Sequence, residues 1–261
     1  DGWHGTHVAG VVAQATNNNE GVAGMAPRAA ILPVKVLDAR GGGNSLDLAL
    51  GIRWAVDNGA QIINMSLGLD EPSAMVQEAC QYAASKGVVL IAATGNDSAE
   101  RVQYPAAYPS VIAVAAVDLN LEVTDYSNVG PEVDLVAPGG DLSQDQDGDG
   151  LVDGVMQAAL FEGEWQYVLA EGTSIATPHV SGAAALLLAN GVPPSQVRDR
   201  LLGSAEDLGA PGHDPYTGWG LLDPVKALED TTASVNEEDR YSGSWDQGDV
   251  PTEQPMGCAE R

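Results

Sequence analysis

The stretch EGTSIATPHVSGAAALLLAN, residues 171–190, decides how the rest of the chain is read. After Thr177 it is apolar around nearly its whole circumference, the pattern of a helix buried at the centre of a domain. Pro178 is tolerated if it falls in the first turn, where its missing N–H has no intrahelical acceptor. That places Ser174 at or just before the helix N-terminus. Free backbone N–H groups and the positive end of the helix dipole there favour a developing oxyanion. Taken alone, Ser174 also reads as an ordinary N-cap.

Outward from this helix, short apolar runs alternate with helix-like stretches. ILPVKVL (31–37), QIINMSL (61–67), VVLIAAT (88–94), VIAVAAV (111–117) and VDLVAPG (133–139) read as buried strands. SLDLALGIRWAVDNG (45–59) and SAMVQEACQYAASKG (73–87) lie between the first three. Each starts at Ser, carries apolar residues at helical spacing and ends at Gly. The expected fold is α/β, a mostly parallel central sheet flanked by helices, with functional groups at the carboxyl ends of the strands.

Two segments depart from the alternation. GGDLSQDQDGDGLVDG (139–154) is acidic and rich in glycine, an insertion at about 140–155. From Thr231 onward the chain is polar, acidic and without periodicity, so 1–230 reads as one domain and 231–261 as a disordered linker or tail.

The 261 residues carry 11 Lys+Arg against 37 Asp+Glu, a net charge of −26. Such a polyanion repels nucleic acid and anionic membranes, and neither is an expected partner. No apolar run of about 18 residues is present, so no membrane span is expected. Cys80 and Cys258 have no metal-ligand spacing and define no disulfide framework.

HGTHVAG (4–10), NMSLG (64–68), AATGN (92–96), GTSIATPHVSG (172–182) and TGWGLLDPVKAL (217–228) occur in the order found in the subtilisin-like serine peptidases. The chain resembles that family over roughly residues 1–228. The resemblance implies a three-layer fold and a secreted, monomeric endopeptidase that acts on polypeptide substrates and is made with a pro-segment upstream. It also implies that His4 is the general base, Ser174 the nucleophile that forms an acyl-enzyme, and Asn96 an oxyanion donor. His7 is expected to be structural, with a zinc site from His4 and His7 as the alternative. Gly41, Gly42 and Gly43 with Ser66, Leu67 and Gly68 would sandwich an extended peptide by strand addition. The alternative for the three glycines is a flexible turn. Ala93, Thr94 and Gly95 would wall the specificity pocket, with Gln103 near its base and Asp97 near its rim.

Calcium is the expected cofactor. By the same resemblance the loop ATNNNEGVAGMAP (15–27) would bind it through Thr16, Asn18, Glu20 and Val22. A second site rests on spacing alone: Asp145, Asp147, Asp149, Leu151 and Asp153 match positions 1, 3, 5, 7 and 9 of an EF-hand-type loop. The alternative is a solvated acidic insertion, since position 12 is Met156 rather than Glu.

The family places its triad Asp in a D-[ST]-G motif about thirty residues before the His. Asp1 stands too near His4 to take that role. The expectation is a fragment of a longer precursor whose Asp lies upstream. Activity of the chain 1–261 would then fall by on the order of 10⁴-fold, the scale of losing the Asp of a subtilisin triad. The competing reading is a non-catalytic domain in calcium-dependent binding or scaffolding.

Overall fold

The computed structural model describes residues 3–161 and 163–241. Four parallel strands form the central sheet in the order β1-β2-β3-β4: β1 Ile62–Met65, β2 Val89–Ala93, β3 Ile112–Val117 and β4 Leu135–Pro138. Four of the five apolar runs thus become strands. Side chains alternate between the two faces with the period of two that a strand imposes. Leu90, Ala92, Ala113, Ala115 and Val136 pack towards α2 (Ser45–Asp57) and α3 (Ala74–Ser85). Val89, Ile91, Ile112, Val114, Leu135 and Ala137 pack towards α4 (Thr173–Ala189), α5 (Pro194–Gly203) and α6 (Pro224–Glu229). The result is the three-layer α/β arrangement expected.

The remaining elements surround the start of α4. Helix α1 (His4–Ala13) packs on α4 and on an antiparallel hairpin of β5 (Val155–Phe161) and β6 (Glu164–Ala170). The His7 imidazole fastens these parts together, with Nε2 3.0 Å from the Val155 carbonyl and 3.1 Å from that of Val168. With Nε2 donating to carbonyls, only the Nδ1 lone pair could serve a metal. Among the described residues, neither His4 nor His7 belongs to a group of three metal-ligating side chains. The two carbonyl contacts are what a structural role of His7 requires.

Four expectations need correction. Residues 31–37 form no strand; their single ladder contact is the bridge Leu37–Gly43. Ile31 and Leu32 are 46% and 41% exposed, and Val34 and Val36 lie on α2 at Gly51. A strand needs a hydrogen-bonded neighbour, and among the described residues the ladder contact of this run ends at the Leu37–Gly43 bridge. β1 is likewise paired on one side only, to β2. Secondly, α2 is capped by Asn44, whose side chain accepts from Asp47 N at 2.9 Å; Ser45 is already helical. Thirdly, Pro178 lies inside α4 rather than in its first turn, because the helix begins at Thr173.

Finally, the domain continues past residue 230. Asp134, 1% exposed at its side chain, pairs with Arg198 at 2.8 Å and also with Arg240. Glu237 contacts both guanidinium groups at 3.4 Å, and Tyr241 N donates to His213 Nδ1 at 3.1 Å. Val235 adds to the apolar layer under α4. A polar composition hid these anchors, since several partners of the segment lie far earlier in the chain. The part of the expected tail from 242 to 261, with Cys258, lies outside the described residues, as does Asp1. Cys80 is a buried free thiol.

Candidate active site

Ser174 occupies the second position of α4, so its N–H belongs to the first turn and has no intrahelical acceptor. Asn96 follows the carboxyl end of β2 and reaches the same helix end. Its Oδ1 accepts from Thr173 N and from Thr173 Oγ1, both at 2.8 Å. With the amide oxygen committed to these donors, the Nδ2 end faces the other way. Gly172, at φ 134°, holds the space between Nδ2 and the Ser174 hydroxyl open. A Cβ there would lie 3.2 Å from Ser174 Oγ and 3.4 Å from Asn96 Nδ2. A carbonyl oxygen needs that space if it is to receive donors as it becomes an oxyanion.

The interior proline has a consequence at the nucleophile. In a regular helix the N–H of residue 178 would donate to the Ser174 carbonyl, and Pro178 has none. Ser66 Oγ donates to that oxygen instead, at 2.7 Å. Asn64 Nδ2 donates to Ser66 Oγ at 3.0 Å, and Ser181 Oγ donates to Asn64 Oδ1 at 2.8 Å. This chain of bonds runs from the end of β1 to α4. Ser66, expected to face substrate, therefore has its hydroxyl engaged with the nucleophile's own backbone. Thr173, Asn64 and Ser181 were not singled out from the sequence. The proline in an apolar helix was the available signal for Ser66, because it announces a carbonyl that needs a donor from elsewhere.

His4 opens α1, and its pKa is lowered from the ordinary value of 6.5, first by burial and then by the charge of His7. It stays neutral at pH 7, as a general base must. Among the described residues no carboxylate pairs with it.

One cleft of about 430 Å³ is lined by His4, Asn96 and Ser174 together with Gly41, Gly43, Ser66, Leu67, Gly68, Ala93, Gly95 and Gln103. Asp97 lines it as well. Two expected substrate contacts do not line this cleft. Thr94 is fully buried, and Gly42 lines the neighbouring depression beside Asp38. The glycine run is not a loose turn: Asp38 Oδ1 accepts from Arg40 N at 2.8 Å and Gly42 N at 2.9 Å, closing the loop.

The two loops expected to bind calcium place their oxygens differently. Asp145, Asp147 and Asp149 bring carboxylate oxygens within 4.8 Å of one another. Asp153 stands outside that group, accepts from Gln146 N and makes a bridge with Asp141. Leu151 N donates to Asp149 Oδ1 at 2.8 Å, leaving its carbonyl as the only ligand it could offer. The 15–27 excursion is closed by Gly24 N to Gln14 O at 3.1 Å and Met25 N to Val11 O at 2.9 Å. Within it Asn18 Oδ1 accepts from Glu20 N at 3.2 Å. Thr16 and Val22 are half-buried, Asn18 and Glu20 exposed.

The arrangement has counterparts. The model of the subtilase family matches residues 1–220. The chain belongs to the subtilases. It is 41% identical over 209 residues to Subtilisin Savinase of Lederbergia lenta, covering 79% of this chain and 71% of that protein. It is 39% identical over 225 residues to the thermophilic serine proteinase of Bacillus sp. (strain AK1), covering 86% of this chain and 52% of that one. Among solved structures, proteases from Pseudoalteromonas arctica PAMC 21717 align with a TM-score of 0.75 at 36% identity, over 87% of this chain and 70% of theirs. The chain thus spans only about half the length of some curated subtilases that it matches.

Proposed function

We propose that this subtilase domain is the catalytic part of a serine endopeptidase. The observation that carries the reading is the single cleft in which His4, Asn96 and Ser174 meet around the space left by Gly172. His4 takes the proton from Ser174 Oγ as it attacks the scissile carbonyl, then returns it to the departing amine. The oxyanion is held by Asn96 Nδ2 and the Ser174 N–H. Water then hydrolyses the acyl-enzyme by the same route. The substrate lies extended between 41–43 and 66–68, matched by its backbone.

The group that orients His4 in this reading is a carboxylate. Among the described residues no carboxylate pairs with His4, so its partner is not among them. The acidic loop and the 15–27 loop hold calcium. Their donors are all oxygen, suited to a hard cation, and three adjacent carboxylates repel one another until a cation is bound. Asp153 is not part of that set. Extracellular action as a monomer, after removal of a pro-segment, completes the reading.

A fluorogenic peptide and a serine-directed phosphonate test it on the full-length protein. Cleavage and labelling are both expected in the wild type, and both should vanish in Ser174→Ala. Neither signal in the wild type, or no change on substitution, would leave the scaffold reading instead. Calcium is tested in the Ser174→Ala variant, which cannot digest itself. A chelator is expected to lower its melting temperature and open residues 139–154 to added elastase. An unchanged melting temperature and digestion pattern would remove the metal from the account.

A further inference from the structure

Beside Ser174 the cleft contains a recess whose chemistry is set by Gln103. Gln103 Nε2 donates to Asp70 Oδ1 and to Asp97 Oδ2, both at 2.9 Å, which uses both amide protons. Its Oε1 is thereby turned between Gly68 and Gly95. A Cβ on Gly68 would collide with that oxygen, and one on Gly95 would approach it to 2.8 Å. The recess therefore presents an acceptor oxygen backed by two carboxylates. Arg101 reaches Asp70 from the exposed side, at 3.6 Å. Among the described residues no Lys or Arg lines the cleft, and Asp97 and His4 are its only ionisable lining residues.

The carbonyl that reacts with Ser174 is held at Asn96, whose chain neighbours are Gly95 and Asp97. In the peptidase reading the residue that owns this carbonyl delivers its side chain to the recess, since Gly95 and Asp97 line the same cleft as Asn96 and Ser174. A carboxylate there would meet an acceptor and two like charges. An apolar side chain would bury Gln103 Oε1 without a partner. An ammonium or guanidinium group would donate to Gln103 Oε1 and face the Asp97 carboxylate. We infer that the site selects lysine or arginine at the residue on the acyl side of the scissile bond. The inference rests on the peptidase reading and specifies its substrate class.

The test uses the full-length protein and fluorogenic peptide amides that differ only in their last residue: Lys, Arg, Phe, Leu or Glu. Expected kcat/KM for Lys and Arg exceeds that for Phe and Leu by roughly tenfold, and that for Glu by roughly a hundredfold. Gln103→Leu and Asp97→Asn should each shrink the Lys-to-Phe ratio severalfold. Cleavage with Phe or Leu preferred over Lys would overturn the inference while leaving the peptidase reading intact. So would ratios that neither substitution moves. If no peptide is cleaved, the peptidase reading fails separately. Calorimetric binding of the corresponding peptide acids then decides selectivity, with Lys no tighter than Phe overturning it.

Discussion

Replacing Ser66 by Ala isolates the contact that stands in for the missing N–H of Pro178. The substitution leaves the Ser174 carbonyl without its donor, at a cost of about 1–3 kcal/mol for a buried acceptor. Asn64 Nδ2 loses its 3.0 Å acceptor at the same time, adding about 1 kcal/mol. Urea denaturation should therefore show a loss of about 2–4 kcal/mol, far above the effect of a surface Ser→Ala change. The decisive step is Pro178→Ala in the Ser66→Ala background. That second substitution supplies a backbone N–H in register with the Ser174 carbonyl, so about 1–2 kcal/mol should return. In the wild-type background the same change restores little, because Ser66 already serves that oxygen at 2.7 Å. The cycle should thus show a coupling of about 1–2 kcal/mol. Strict additivity, within about 0.5 kcal/mol, would refute the claim that Ser66 compensates the proline.

Three further outcomes follow from the geometry. Gly172→Ala places a methyl group in the space for the oxyanion at a φ that L residues rarely adopt; kcat/KM should fall by about 10²–10³-fold or more, and near-normal turnover would move the oxyanion elsewhere. Asp134→Ala takes from Arg198 and Arg240 the buried carboxylate they share, leaving them the exposed Glu237 at 3.4 Å, and removes the acceptor of Ala113 N, 2.9 Å away. About 3 kcal/mol of stability should go, with 231–241 newly open to proteolysis; an unchanged denaturation midpoint would contradict this. His4, His7 and His179 all have pKa values lowered from 6.5 by burial, that of His179 to about 4. Their unfolded forms take up protons first, so this contribution is complete above pH 6.5 and declines as pH falls from 6.5 towards 4. His179 accounts for about 3 kcal/mol of that, and urea midpoints equal at roughly pH 7 and pH 5 would disprove it.

The core of the sheet was legible because a strand buried on both faces has to be apolar throughout, and β2 and β3 are. The same rule misjudged 31–37, where composition satisfied a strand but hydrogen-bond pairing did not. Periodicity alone carries no information about partners. The hairpin β5–β6 was not anticipated, since it exposes the apolar side chains of Met156, Leu160, Trp165 and Tyr167, which blurs the expected alternation. At the site, His4, Asn96 and Ser174 were singled out through local motifs, and they line one cleft. Thr173, Asn64 and the amide orientation of Gln103 were not, because each depends on contacts between segments distant in sequence. Position 153 shows the same limit, since spacing identified a carboxylate that the loop turns towards Gln146.

Helix α4 joins two requirements that many enzymes keep apart. It fixes Asn96 through Thr173 and carries Ser174, while Ser181 ties it back to β1 and its other sides fill the layer beneath the sheet. Gly182 packs so closely on Met25 that no larger residue fits. Substitutions at the fully packed positions from 175 to 182 are expected to register in folding and in turnover together. Screens that select for activity in this segment will recover stability as a by-product, and backbone amides of the helix should be among the slowest in the molecule to exchange with solvent.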